Sequence, residues 1–131
     1  MKNYTINKFD DIYPFTNIIT RKKKCELFEE FTYYLFKLDP RLNAKVEFIW
    51  LYDNVPNKIL TELNLSPLDK GIDLLAIIDK EYYAIKCKFR QNPDVTILRG
   101  EVSVFFETLK KFKGGYLVTN TYNLCDEIIN S

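Results

Sequence analysis

The sequence predicts an α/β domain, a central mixed β-sheet with helices on its faces. Three observations lead there. One stretch repeats its apolar residues at steps of three and four, several shorter stretches are rich in β-branched and aromatic residues, and the two kinds interleave as α-β-(α)-β-β-α-β-α. With 131 residues, 47% of them apolar and 15% aromatic, the chain has the length and the material for one sizeable core.

Residues 1–23 read as an N-terminal arm or irregular lead-in, and residues 24–131 as the domain itself. The first twenty residues have no clean period and contain Pro14. Arg21, Lys22, Lys23 and Lys24 form a basic run, read as the solvated start of a helix. From Cys25 to Leu38 the residues Leu27, Phe28, Phe31, Tyr34, Leu35 and Leu38 define a helical stripe, and Asp39-Pro40 ends it. Val46 to Tyr52 has strand composition, and a short helix is expected over Lys58 to Leu63. Ile72 to Ile78 and Tyr82 to Phe89 flank Asp79-Lys80-Glu81, the pattern of a hairpin. A further helix is expected over Leu98 to Lys111, a strand over Tyr116 to Thr119 and a last helix over Tyr122 to Ile129.

Several chemistries are excluded at once. The chain has no histidine, which removes Ser-His and Cys-His nucleophiles, His-ligated zinc and any histidine base. Cys25, Cys87 and Cys125 are far apart and odd in number, so neither a disulfide framework nor a paired zinc site is expected, and they read as reduced thiols near the core. Carboxylate and lysine chemistry remains. With 19 basic and 18 acidic residues, any nucleic-acid contact must come from a local patch. No apolar run has the length of a membrane span, and Lys2, Lys8, Asp10 and Asp11 interrupt the N-terminal segment, so a soluble intracellular protein without a membrane partner is expected.

The hairpin concentrates what chemistry is left. Asp73 stands in an otherwise apolar stretch, where a carboxylate is costly to bury without a cationic partner. Lys86 and Lys88 are two apart on the following strand and share one face. Asp73 and Lys88 are therefore expected to lie side by side, within roughly 4 to 6 Å. A carboxylate that holds a hard divalent cation beside a lysine that orients water or stabilises phosphorane charge is the logic of a metal nuclease. The same residues also suit a structural ion pair.

The strings Lys70-Gly71-Ile72-Asp73-Leu74-Leu75 and Tyr82-Tyr83-Ala84-Ile85-Lys86-Cys87-Lys88-Phe89-Arg90 resemble the G-x-D and (E/Q)-x-K motifs of Mrr-type restriction endonucleases, within the PD-(D/E)xK superfamily. They look most like the version at the N-terminus of large helicases of giant DNA viruses. Leu27-Phe28-Glu29, Trp50-Leu51-Tyr52-Asp53 with Val55-Pro56, Phe105-Phe106 and Thr119-Asn120-Thr121-Tyr122 match it as well, so the resemblance spans about residues 24–131. It implies a restriction-endonuclease-like fold and a Mg- or Mn-dependent endonuclease acting on DNA, working with a helicase domain in the same full-length chain at a viral replication site in the host cytoplasm. Ending at Ser131 just after an expected helix agrees with an excised domain.

Carried over by position, the resemblance makes Asp73 the principal metal ligand and Lys88 the catalytic lysine. The family's helix carboxylate falls on Glu29 by the Leu-Phe-Glu match, although helical geometry alone leaves Glu29 and Glu30 on opposite flanks of the apolar stripe. One position departs from the pattern. Where the family has Glu or Gln, this chain has Lys86, whose ammonium offers a cation no lone pair. Three outcomes are open: Lys86 is neutralised by burial, a carboxylate such as Glu101 fills the gap, or the site holds phosphate without metal. The alternative function is thus a nuclease-inactive DNA-binding module that delivers a helicase or primase, with Lys86, Lys88, Arg90 and Arg99 on its basic surface, joined by Lys110, Lys111 and Lys113.

Overall fold

The computed structural model describes residues 2–5, 20–68, 71–121 and 123–129. Most of the lead-in, Lys70 of the first motif and Tyr122 at the expected start of the last helix lie outside these residues. The elements are β1 (Lys2–Thr5), α1 (Arg21–Leu38), α2 (Pro40–Asn43), β2 (Val46–Leu51), α3 (Asn57–Glu62), β3 (Leu74–Ile78), β4 (Glu81–Lys88), α4 (Ser103–Thr108), β5 (Gly114–Thr119) and α5 (Asp126–Ile129). The strands form one mixed sheet in the order β1-β5-β4-β3-β2. The fold is thus the α/β, restriction-endonuclease-like arrangement expected, a mixed sheet with flanking helices.

Helix α1 starts where Thr20 accepts a hydrogen bond from the Lys23 N–H at 3.2 Å. It therefore takes in the basic run, of which Lys24 is buried instead of solvated. Asp39 ends it and caps α2, accepting from the Arg41 N–H at 2.9 Å with Pro40 in the first turn, where a missing N–H costs nothing. Phe28 and Phe36 of α1 pack on Leu74, Ile85 and Val118, the sheet residues of one face. On the other face Phe105 of α4 and Ile97 pack on Leu75, Ala84 and Leu117. Alternation along each strand thus feeds two cores.

The hairpin turn consists of Asp79 and Lys80, with φ of 51° and 66°. Two left-handed residues make the turn whose twist matches that of the strands it joins. It sets the register Ile78↔Glu81 through Leu74↔Ile85. The Glu47 carboxylate accepts from the Lys80 N–H at 2.6 Å and ties the turn to β2.

Four local features differ from the sequence reading. Lys2–Thr5 form an edge strand parallel to β5; a short edge strand needs only backbone pairing, which leaves no apolar period to read. The helix expected over Leu98 to Lys111 is three pieces, a 3-10 turn Arg99–Val102, then α4, then a 3-10 turn Leu109–Lys111. Gly100 and the β-branched Val102 and Val104 are weak helix formers there. The last helix covers only Asp126–Ile129, because Leu124 bridges to Ile97 and the Asn123 carbonyl accepts from the Ile97 N–H at 2.8 Å. Asp73 directly precedes β3 and is not within it, yet its N–H donates to Ile85 O and its carbonyl accepts from the Tyr52 N–H, both at 2.9 Å. Among the described residues no helix is long and apolar enough to cross a membrane.

Gly115 shows how closely α4 sits on the sheet. A Cβ there would lie 2.4 Å from Leu109 Cδ1, 2.9 Å from the Ala84 carbonyl oxygen and 3.1 Å from Phe105 Cζ. Gly115→Ala should lower stability by about 1–3 kcal/mol, read as a shift of the urea midpoint at unchanged slope. An unchanged midpoint would contradict this packing.

Candidate active site

Asp73 is held at the end of β3 by its neighbour in the sheet. Its Oδ2 accepts the Cys87 N–H at 2.7 Å and lies 3.5 Å from Lys86 Nζ, and the side chains of Asp73 and Lys86 are only 17% and 20% exposed. Burial pushes the Asp73 carboxyl above its ordinary range, while the Lys86 charge and the Cys87 N–H offset part of that. Both contacts fall on Oδ2 and leave Oδ1 outside them.

Lys88 lies two residues beyond Lys86 and on the same face, but it forms a different ion pair. Asp73 pairs with Lys86, because Lys86 stands directly across from Asp73 when the hairpin register is continued by one residue. Lys88 Nζ is 3.9 Å from Glu101 Oε1, and its charge also works to lower the Asp73 pKa. Glu101 Oε1 also takes a hydrogen bond from the Arg90 guanidinium, and Glu101 Oε2 accepts the Leu98 N–H at 2.8 Å. Burial works against the ionised Glu101, but the Leu98 N–H and the Arg90 guanidinium hold its carboxyl below the usual range.

Helix α1 brings acids to the opposite side of Asp73. Glu26, Glu29, Glu30, Asp53, Asn54 and Asp73 line one cavity of about 460 Å³ together with Leu51, Tyr52 and Ile72. Glu29 is half-buried and Glu30 exposed. Burial, and next the Asp73 charge, push the Glu29 carboxyl up to about 7, with Lys86 opposing. Glu29, Asp73 and Lys86 thus feel one another across the end of the sheet.

A family model described as restriction endonuclease, of the Mrr type, matches residues 37–130. The chain belongs to this family. No curated protein and no solved structure matches it significantly.

With no histidine in the chain, a divalent cation would fall to its carboxylates. Among the described residues no three carboxylate or thiol groups lie close enough together to form a ready-made cage. Magnesium does not require one; it is commonly held by one or two carboxylates, with waters and substrate phosphate completing its shell. Asp73 and Glu29 are two desolvated acids facing one cavity, and the burial and Asp73 charge that raise the Glu29 pKa are costs that a hard cation would relieve. The pair fits such an ion, and Lys86 is the competitor already at Asp73 Oδ2.

The remaining sequence-selected residues are spread more widely. Arg90 is 15% exposed and committed to Glu101 and to the Thr96 carbonyl, while its backbone exchanges two 2.8 Å hydrogen bonds with Asn120. Arg99 lies with its guanidinium carbon 3.8 Å from the Phe106 ring centroid. Lys110 pairs with Glu107 at 3.1 Å, and Lys111 Nζ donates to the Asn64 carbonyl at 2.8 Å. Asp53, on the 3-10 turn after β2, joins the acidic cavity although the sequence reading gave it no role. Its signal was the Trp50-Leu51-Tyr52-Asp53 string, which counts toward the family resemblance without giving Asp53 a role.

Because its proton is retained in the folded state to about pH 7 but lost near 4.5 in the unfolded chain, Glu29 makes the fold lose stability as pH rises through that window. Glu29→Gln should flatten this slope, measured as denaturant midpoint against pH. An identical slope in the variant would remove Glu29 from the buried acid cluster.

Proposed function

We propose that this domain is a divalent-metal-dependent endodeoxyribonuclease, hydrolysing DNA phosphodiester bonds with Mg or Mn held by Asp73 and Glu29. The observation that carries this reading is the pair of desolvated acids on one cavity, next to a face that presents Lys86 and Lys88. A bound cation would supply Lewis acidity toward the scissile phosphate. Asp73 and Glu29 orient that charge from the residue before β3 and from α1. Lys88, positioned by Glu101, orients the attacking water or stabilises the charge that develops on phosphorus oxygens. Lys86 contacts phosphate after leaving Asp73 Oδ2. The helicase-borne versions of the motifs support a helicase domain in the same full-length chain and a viral replication site as its setting.

The Lys86–Asp73 ion pair favours a second reading, a nuclease-inactive DNA-binding module of the same fold that delivers a helicase or primase. There Lys86 and Lys88, with Arg90 and Arg99 nearby, serve phosphate contact alone.

A calorimetric titration with magnesium or manganese, paired with a DNA cleavage assay, separates the two. Asp73→Ala should remain folded and lose metal-dependent cleavage, by a factor on the order of 100 or more. Lys86→Glu should strengthen metal binding and raise cleavage, while DNA affinity falls and its salt slope shrinks by about one unit. Wild-type protein that binds DNA but neither metal nor cleaves would establish the second reading. Cleavage undiminished in Asp73→Ala would reject the site.

A further inference from the structure

The ion pair between Lys86 and Asp73 stands where a cation would enter. Lys86 Nζ lies 3.5 Å from Asp73 Oδ2, and the Cys87 N–H holds the same oxygen at 2.7 Å. The two side chains are 20% and 17% exposed, so water replaces little of a partner that leaves. Breaking such a pair from one side alone leaves the other charge covered and uncompensated.

Lys86 has no good second place on the protein. Lys88, two residues on and on the same face, lies 3.9 Å from Glu101 Oε1, and the Arg90 guanidinium bonds the same oxygen. A third cation there would add like-charge repulsion around a carboxylate already matched. A further acid that meets the Lys86 charge is Glu29, on the cavity it shares with Asp73. A move to Glu29 would block the second acid of the pair instead of the first. Admitting a cation alone would therefore require Lys86 to go without an anion, beside Lys88. Admitting an anion alone would draw Lys86 off and leave Asp73 and Glu29 on one cavity without a cation. Bound together, each ligand removes the cost of the other.

We infer that Lys86 is a gate that couples the two ligands of this site: a DNA phosphate draws the Lys86 ammonium off Asp73, and Asp73 Oδ2 is thereby freed for the divalent cation. The inference rests on the nuclease reading for the identity of both ligands, and adds that they bind cooperatively. Coupling between two ligands is reciprocal, so DNA tightens the cation by the same factor as the cation tightens DNA. The lysine that departs from the (E/Q)-x-K pattern thus keeps the acid pair closed while no substrate is present.

Manganese affinity of the whole 131-residue chain, read from the electron spin resonance of the free ion at constant ionic strength, tests this directly. It is measured without DNA and with a saturating phosphorothioate duplex that resists cleavage, corrected for ions bound by the duplex alone. Wild type should bind manganese about 5-fold or more tightly with the duplex than without it. Lys86→Met keeps the unbranched stem and removes the charge; without DNA it should bind manganese about 5-fold or more tightly than wild type, and respond to duplex by less than about 2-fold. Lys86→Gln repeats the comparison should the methionine variant not fold. An undiminished duplex response in the folded variant overturns the gate. Sulfate that tightens manganese as much as the duplex does overturns the assignment to DNA. Manganese bound by wild type alike with and without duplex, together with cleavage, removes the gate and leaves the nuclease reading intact; no manganese bound in either state removes that reading and the gate with it.

Discussion

A carboxylate that is 17% exposed must be compensated where it sits, and Asp73 is compensated from β4. The two-residue turn Asp79-Lys80 fixes the hairpin register. That register puts the Cys87 N–H and the Lys86 ammonium on the same oxygen of Asp73. A slip of one residue would turn Lys86 and Lys88 toward the apolar α1 face, beside Phe28 and Val118, and turn Ile85 away from it. The hairpin register is therefore the constraint behind the site, and the helices on the two faces hold it by burying alternate residues of β3 and β4.

Two lysines two residues apart do different work because different acids reach them. Lys86 meets Asp73 at the sheet end, and Lys88 meets Glu101, which the 3-10 turn Arg99–Val102 presents from the opposite face to α1. The same turn locks Arg90 and, with Asn120, fixes the loop after β4. On the α1 side Glu26 pairs with Lys23 at 3.7 Å, and Glu29 is half-buried beside Asp73. Burial first and the Asp73 charge next push the Glu29 carboxyl up to about 7, against the opposing Lys86 charge. The contrast between Glu101, held ionised by its hydrogen bonds, and the half-buried Glu29 is what a cation-dependent reading explains.

Much of this was legible in the residues. The 3.6-residue period of α1, the alternation of β3 and β4 and the Gly71-x-Asp73 and Lys86-x-Lys88 strings gave the element order, the fold class and the residues that meet at the hairpin. The pairing of Lys86 and not Lys88 with Asp73 was not legible, since it depends on a register that sequence spacing leaves ambiguous by one pair. The edge strand Lys2–Thr5 was missed because backbone pairing carries no side-chain pattern. The broken helix between Arg99 and Lys111 was missed because its apolar spacing was read over the weak propensities of Gly100, Val102 and Val104. Asp53 was hidden because a 3-10 turn only three residues long redirects the chain after β2.

The account depends on a cation reaching Asp73 and Glu29 despite Lys86. Anomalous scattering from manganese-soaked crystals tests this at the atoms concerned. The account predicts a manganese peak about 2.1 Å from carboxylate oxygens of both Asp73 and Glu29, with Lys86 Nζ displaced from Asp73 Oδ2. A peak bound elsewhere, or none with the Lys86–Asp73 ion pair intact at saturating manganese, would contradict it.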